Sequence, residues 1–355
     1  MDKSIFSKLK KVSKHDKVLL ITHNDLDGAG PAILFSVVLG KENVEIRHCG
    51  NGPMSYLIKN AVLNEADNYN KIIATDISVN EIDAEIINTS RNIDKFILID
   101  HHSTAMFLNK YDWAVVESSL IEDSFRADYY KNIDENKPRS SSATSLVYDY
   151  LDYIGLTNNI NTELREFVHN IATYDTWDWI NTFNNKKECY DLNLLFFIYG
   201  STLFDEKFTE HFSKSASKTS FFLDNQQDDF DKINKTLLEV EVAKRSNFLK
   251  YVSKNFKVGS IEIGDKKYSM CMWVGNTYMN DVFLLMKEKY PQKDLYIINY
   301  GTGIGLRTDT NIDVGQLAKM FRGGGHKEAA GIKISDLSQI KYTQSALNGV
   351  IQIDY

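Results

Sequence analysis

Two adjacent histidines follow an acid in "ILIDHHST", residues 97–104, giving Asp100, His101 and His102. "THNDLDG", residues 22–28, supplies His23, Asp25 and Asp27 with a single residue between neighbouring members, and "IIATD" ends on Asp76. Carboxylates gathered at one place repel one another and are costly to bury unless cations compensate them. Mixed imidazole and carboxylate donors without thiolate suit Mn²⁺, Mg²⁺, Fe²⁺ or Co²⁺ better than a structural zinc. With one carboxylate shared between two ions, such a set would make a two-metal hydrolytic site, in which a bridging hydroxide attacks phosphorus.

The elements that must bring these residues together are strands. "KVLLITH", "KIIATD" and "KFILID" are short apolar runs, and each ends in the acids or histidines just named. In an open parallel sheet, ligands bind outside the carboxyl ends of the strands, so groups far apart in the chain can share one edge. Taken singly, each motif has a plainer reading: a DxDG turn or helix start, a histidine pair capping a loop, an aspartate N-capping the next helix. Their joint occurrence, each at a strand end, favours the metal reading.

The same alternation of strand and helix patterns, with "VEIRHC" and "WAVVES" as further strands, predicts a mainly parallel α/β domain in the first half. From about residue 140 the pattern turns helical, including "SSSATSLVYDYLDYIG" and "NTELREFVHNIATYDTWDW". A polar, charged helical connector is expected over 205–255. "KVGSIEIG", "KKYSMCMWV", "DLYIINYG" and "GIGLRTD" then return to strands, interleaved with "NDVFLLMKEKYP" and "DVGQLAKMFR", as a second, smaller α/β domain over 256–355.

Composition narrows the function. The 355 residues carry a formal net charge of −7, which lacks the basic excess of a protein gripping long nucleic acid through many phosphates. No apolar run approaches a membrane span and no secretory leader pattern opens the chain, so a cytoplasmic location is expected. Cys49, Cys189 and Cys271 are odd in number and widely spaced, which predicts reduced structural thiols.

These motifs resemble those of the DHH phosphoesterase superfamily, whose name is the triplet at Asp100-His101-His102. "THNDLDG" matches its first motif, Asp76 its second, "IDHHST" its third and Asp175 in "ATYDTWDW" its fourth. "FRGGGHKEAAG", residues 321–331, with the preceding "GIGLRT", is similar to the DHH-associated nucleic-acid-binding domain. The resemblance implies a DHH catalytic domain over 1–204, a helical linker over 205–255, a DHH-associated substrate-binding domain over 256–355, and an active site in the interdomain cleft. It also implies one metal on His23, Asp25 and Asp76, and a second on Asp27, Asp76, His101 and Asp175, with Mn²⁺ the preferred ion and Mg²⁺ or Co²⁺ as substitutes. His102 would sit by the scissile phosphate and Asp100 would orient a histidine ring. Arg307, Gly323, Gly324, Gly325 and His326 would hold substrate phosphate or nucleotide; the glycines let backbone N–H groups approach an anion.

Within the superfamily, the two-domain plan, the single residue between His23 and Asp25, and "ATYDTWDW" look most like the NrnB-type oligoribonucleases, also described as cyclic nucleotide phosphodiesterases. RecJ-type exonucleases are longer, and family II pyrophosphatases differ in the first motif and lack the GGGH tract. The expectation is metal-dependent hydrolysis of short RNA oligonucleotides to mononucleotides. A homodimer is a weak expectation, resting only on how common homodimers are. Cyclic mono- or dinucleotides and nucleoside 3′,5′-bisphosphates are the alternative substrates, and a catalytically silent nucleotide-binding protein is the remote alternative. Arg139 and Ser140–Ser142 read as helix-capping or phosphate-binding, Tyr174, Trp177 and Trp179 as wall or stacking residues, and His15, His48, His169 and His211 as structural.

Overall fold

The computed structural model describes residues 2–50, 52–137, 139–158, 160–183, 186–214, 229–333, 341–344 and 350–354. Its contacts divide into two units, Met1–Leu238 and Glu239–Tyr355.

The first unit is built on β1 (Val18–His23), β2 (Val44–Cys49), β3 (Lys71–Thr75), β4 (Phe96–Asp100) and β5 (Ala114–Val116). All pairings in this sheet are parallel, in the order β2-β1-β3-β4-β5. Strands β1, β3 and β4 are nearly wholly buried, as continuous Val, Ile and Leu runs require when both faces of a sheet are covered. On one face, helices α2 (Met54–Asn60) and α3 (Glu81–Asn88) pack with Leu19, Ile21, Ile72, Ala74, Phe96 and Leu98 into one apolar cluster. Helix α1 (Leu26–Leu39) contacts α4 (Ala143–Tyr153), α5 (Thr162–Asp175) and α7 (Lys187–Lys214). A four-residue helix, α6 (Asp178–Asn181), follows α5 directly, and α7 is kinked at Gly200, whose φ of 70° and ψ of 162° are not helical. The unit boundary falls within α8 (Asp229–Val252). Residues 215–228 of the expected connector lie outside the described residues.

The second unit contains β6 (Lys257–Ile263), β7 (Lys266–Val274), β8 (Leu295–Asn299), β9 (Gly303–Arg307), β10 (Gly324–Gly325), β11 (Ala329–Lys333), β12 (Lys341–Gln344) and β13 (Val350–Asp354), with helices α9 (Met279–Lys289) and α10 (Val314–Met320). Its mixed sheet runs β10-β11-β9-β8-β7-β6-β13-β12. Ile261, Met270, Leu295, Ile297, Leu306 and Ile332 pack with Val314, Leu317 and Phe321 around α10 as a core of its own. The α/β class, the parallel first sheet and the separate second sheet agree with the sequence reading. The three cysteines are free and buried, and among the described residues no helix is long and apolar enough to cross a membrane.

Candidate metal centre

The centre starts where β1 stops. His23 is the last residue of β1, and the next helix begins almost at once because the Asp25 carboxylate caps it, accepting from the Gly28 N–H at 2.9 Å. A Cβ at position 28 would lie 2.1 Å from the His23 carbonyl oxygen, so only glycine lets α1 start so close to the strand. Asp27, in the first turn, is buried and accepts from the backbone N–H of Ala143 at 2.7 Å and of Thr144 at 3.0 Å, the start of α4. Pro31 cannot donate to the Asp27 carbonyl one turn earlier. The Thr144 hydroxyl replaces that bond at 2.8 Å.

Asp76 follows β3 with φ of 58°, a left-handed conformation that aspartate tolerates better than most residues, and its N–H donates to the Ile99 carbonyl at 3.2 Å. Its two carboxylate oxygens face different histidines: Oδ2 lies 3.6 Å from His23 Nδ1, and Oδ1 lies 3.3 Å from His101 Nε2 and 4.0 Å from His102 Nδ1. His23 Nδ1 also meets Asp25 Oδ2 at 2.6 Å. Asp27 Oδ2 and Asp175 Oδ2, at the end of α5, approach His101 Nε2 to 3.7 and 3.6 Å. Behind them, Asp100 Oδ1 accepts from His102 Nδ1 at 2.7 Å and from the His101 N–H at 2.8 Å.

Within the first unit, three groups with metal-ligand spacing result: His23, Asp25 and Asp76; Asp27, His101 and Asp175; and Asp76 with Asp100, His101 and His102. In each, the ligating atoms lie within 4.8 Å of one another. The buried Oδ2 atoms of Asp76 and Asp100 have no hydrogen-bond partner among the described residues. An orphaned buried carboxylate oxygen at the junction of two ligand groups fits a cation.

The titration of these groups points the same way. Burial pulls the His23 imidazole towards neutrality, but Asp25 and Asp76 overrule it and hold its pKa up to about 12. His101 likewise keeps its proton well beyond the ordinary range, burial being outweighed by Asp175, Asp76 and Asp27. Burial pushes the Asp76 carboxyl up, yet the His101 and His23 imidazoles beside it bring it below its ordinary value. Asp27 is raised to about 6 by burial and the Asp76 charge, and Asp175 is raised by burial and Asp27. The carboxylates therefore compete for whatever positive charge is present, here protons on two histidines, and a divalent ion can take their place.

In the second unit, Arg307 ends β9 opposite Ala329 of β11, and its Nη1 donates to the Leu306 carbonyl at 3.0 Å. The glycine tract lies beside the same strand as the short β10, pairing Gly324 with Gly331 and Gly325 with Ala330. A Cβ at Gly323 would sit 2.1 Å from the Gly331 carbonyl oxygen, and Gly325 has φ of 140°, whereas position 324 opens onto free space. The His326 N–H donates to the Ala329 carbonyl at 2.7 Å.

Residues 269–352 match the family described as DHHA1 domain. Oligoribonuclease NrnB of Bacillus subtilis (strain 168) is 29% identical over 325 residues, 89% of this chain and 73% of that protein. RecJ from Thermus thermophilus, in complex with Mn²⁺, aligns with a TM-score of 0.50 and 10% identity over 93% of this chain and 51% of its own, a likeness of fold. PggH of Vibrio cholerae, a pGpG-specific phosphodiesterase, aligns with a TM-score of 0.48 and 14% identity over 89% of this chain and 93% of its own. The match over residues 269–352 and the likeness to NrnB bear out the resemblance to DHH phosphoesterases with a DHH-associated domain read from the motifs.

Outside the matched residues 269–352, one supporting group escaped the sequence reading. His48, on β2, donates from Nδ1 to the His23 carbonyl at 2.9 Å and meets Asp205 Oδ2 of α7 at 2.6 Å through Nε2. Only the β1–β2 register, which pairs Thr22 with His48, brings it there, and no local motif announces that. Ser142, read from the sequence as a helix cap, caps α4 in a capping box with Ser145, while the next two N–H groups serve Asp27. Arg139 Nη2 donates to the Ile133 carbonyl at 3.3 Å, and its guanidinium lies over the Tyr130 ring. Tyr174 and Trp177 both pack against Trp179, which meets Tyr190, so the aromatics beside Asp175 support one another as a wall.

Proposed function

We propose that the protein is a divalent-metal-dependent phosphodiesterase that hydrolyses short RNA oligonucleotides to mononucleotides in the cytoplasm. The observation that carries the reading is Asp76: one buried carboxylate with an oxygen towards each of two ligand groups, in a chain whose likeness to an oligoribonuclease spans 89% of its length. One ion would be held by His23, Asp25 and Asp76, the other by Asp27, Asp76, His101 and Asp175. The imidazole and carboxylate donors suit Mn²⁺, with Mg²⁺ or Co²⁺ as substitutes. Such a pair of ions lowers the pKa of water and neutralises charge developing on phosphorus.

The chain's own groups do the rest. Asp100 fixes the His102 ring through Nδ1, so that Nε2 is the atom to stabilise or protonate a phosphate oxygen. Arg307, the backbone of Gly323, Gly324 and Gly325, and His326 would anchor a neighbouring phosphate, a small set of contacts suited to substrates of a few nucleotides.

The test is a time course with protein stripped by chelator and reloaded with Mn²⁺. A 5′-labelled RNA dinucleotide, a cyclic dinucleotide, a 3′,5′-cyclic mononucleotide and a nucleoside 3′,5′-bisphosphate are compared. Fastest cleavage of the linear dinucleotide is expected, with none in the stripped protein. Preference for a cyclic substrate would move the specificity into nucleotide signalling, and intact dinucleotide with Mn²⁺ present would overturn the reading.

A further inference from the structure

The end of α5 is held by a buried network centred on Asp178 and Arg126. Beyond Asp175 the chain turns at Trp177, whose φ of 61° is left-handed and strained for so large a residue. It then places Asp178, 2% exposed, at the start of α6. Asp178 Oδ2 accepts from the Thr176 hydroxyl at 2.8 Å, the Arg126 guanidinium at 3.3 Å and the Tyr130 hydroxyl. Its Oδ1 accepts from Thr182 at 3.0 Å. Both sides of the strained turn are thus bound to one carboxylate.

Arg126, fully buried, spreads the same network further. Its Nη2 reaches Thr173 of α5 at 3.5 Å, two residues before Asp175, and its Nη1 donates to the Ser140 carbonyl at 2.8 Å. Ser140 leads into the start of α4, whose N–H groups hold Asp27. Supports for the two carboxylates that flank His101, Asp27 and Asp175, therefore meet at Arg126. A buried ion pair is weak ground for stability, since apolar replacements often serve as well. It is well suited to fixing geometry.

We infer that Arg126 and Asp178 are positioning residues for the Asp27–His101–Asp175 metal group, acting by locking the turn after Asp175; this rests on the proposed metal-dependent function. Partners that orient metal ligands typically contribute about ten- to a hundredfold to metal affinity. Asp178→Asn keeps the shape of the side chain and changes only its charge and one acceptor. Thr182→Val removes a single donor and is the milder variant should the first fail to fold.

The experiment is Mn²⁺ binding to the full chain by isothermal titration, with free Mn²⁺ followed by electron paramagnetic resonance, for wild type, Asp175→Ala, Asp178→Asn and Thr182→Val. The expected result is two ions in wild type and a loss of affinity confined to one of them in Asp178→Asn. That loss should be about ten- to a hundredfold, affect the same ion that Asp175→Ala loses, and be smaller in Thr182→Val. Unchanged binding of both ions, or equal weakening of both, would overturn the inference while leaving the metal centre standing. A wild type that binds no Mn²⁺ would instead overturn the underlying reading, and this inference with it.

Discussion

At the scale of single residues, Asp76 is the group on which the centre turns, because its two oxygens face two ligand groups. Asp76→Ala is expected to lower turnover by at least about a hundredfold and to remove at least one bound ion. Near wild-type rates in this variant would refute the shared-carboxylate assignment. Asp149 allows a test of the fold alone, away from the centre. Burial raises its pKa to about 6 from an ordinary 3.8, against the opposing Ser124 hydrogen bond and Lys3 charge. The folded protein therefore favours the neutral acid: the stability this group contributes is complete below about pH 4 and is lost as pH rises through 6. Asp149→Asn should accordingly stabilise the protein at pH 7 by up to about 3 kcal/mol, since a tenfold change in proton affinity corresponds to about 1.36 kcal/mol, and by little at pH 4. Denaturant melts at both pH values would show it, and an equal effect at the two would count against it.

At the scale of elements, the close start of α1 beneath β1 depends on one missing side chain. Gly28→Ala would drive a methyl group to 2.1 Å from the His23 carbonyl oxygen, so α1 must shift and carry Asp25 and Asp27 with it. A loss of about 1–3 kcal/mol in stability and weaker metal binding are expected together; thermal melts and Mn²⁺ titration of this variant check both, and a shift in neither would mean the backbone yields more easily than its packing implies. The strands that end in the candidate ligands were legible because their apolar runs are unbroken and their acids and histidines stand at the exits. Asp175 was legible only by resemblance, since a helix end carries no comparable pattern. Of the groups behind them, Asp100 was legible by resemblance, but the long-range pairs were not. His48 reaches Asp205 and Arg126 reaches Asp178 across 157 and 52 residues, and pairings at that distance leave no mark on local periodicity.

At the scale of the whole molecule, an acidic chain with the confined set of anion-binding groups proposed above should respond to salt and to substrate length in a characteristic way. His326→Ala is expected to raise KM for an RNA dinucleotide with kcat little changed, and a fall in kcat at constant KM would place His326 in the chemistry instead. Dinucleotide affinity should fall only gently with salt, with a logarithmic slope no steeper than about −2 for one or two phosphate contacts. A steep slope measured by equilibrium binding would point to a longer nucleic-acid track than the net charge of −7 suggests.

The bond that Pro31 forbids has a bearing on how the molecule comes into being. The Asp27 carbonyl and carboxylate find their partners in Ala143 and Thr144, more than a hundred residues further along the chain. During synthesis, β1 and the start of α1 leave the ribosome with these groups unsatisfied by the fold, and Asp175 emerges later still. Contacts so distant in sequence form slowly. The candidate metal centre is therefore among the last parts of the first unit to mature, and the newborn chain cannot assemble the complete set of proposed ligands until α5 has been made.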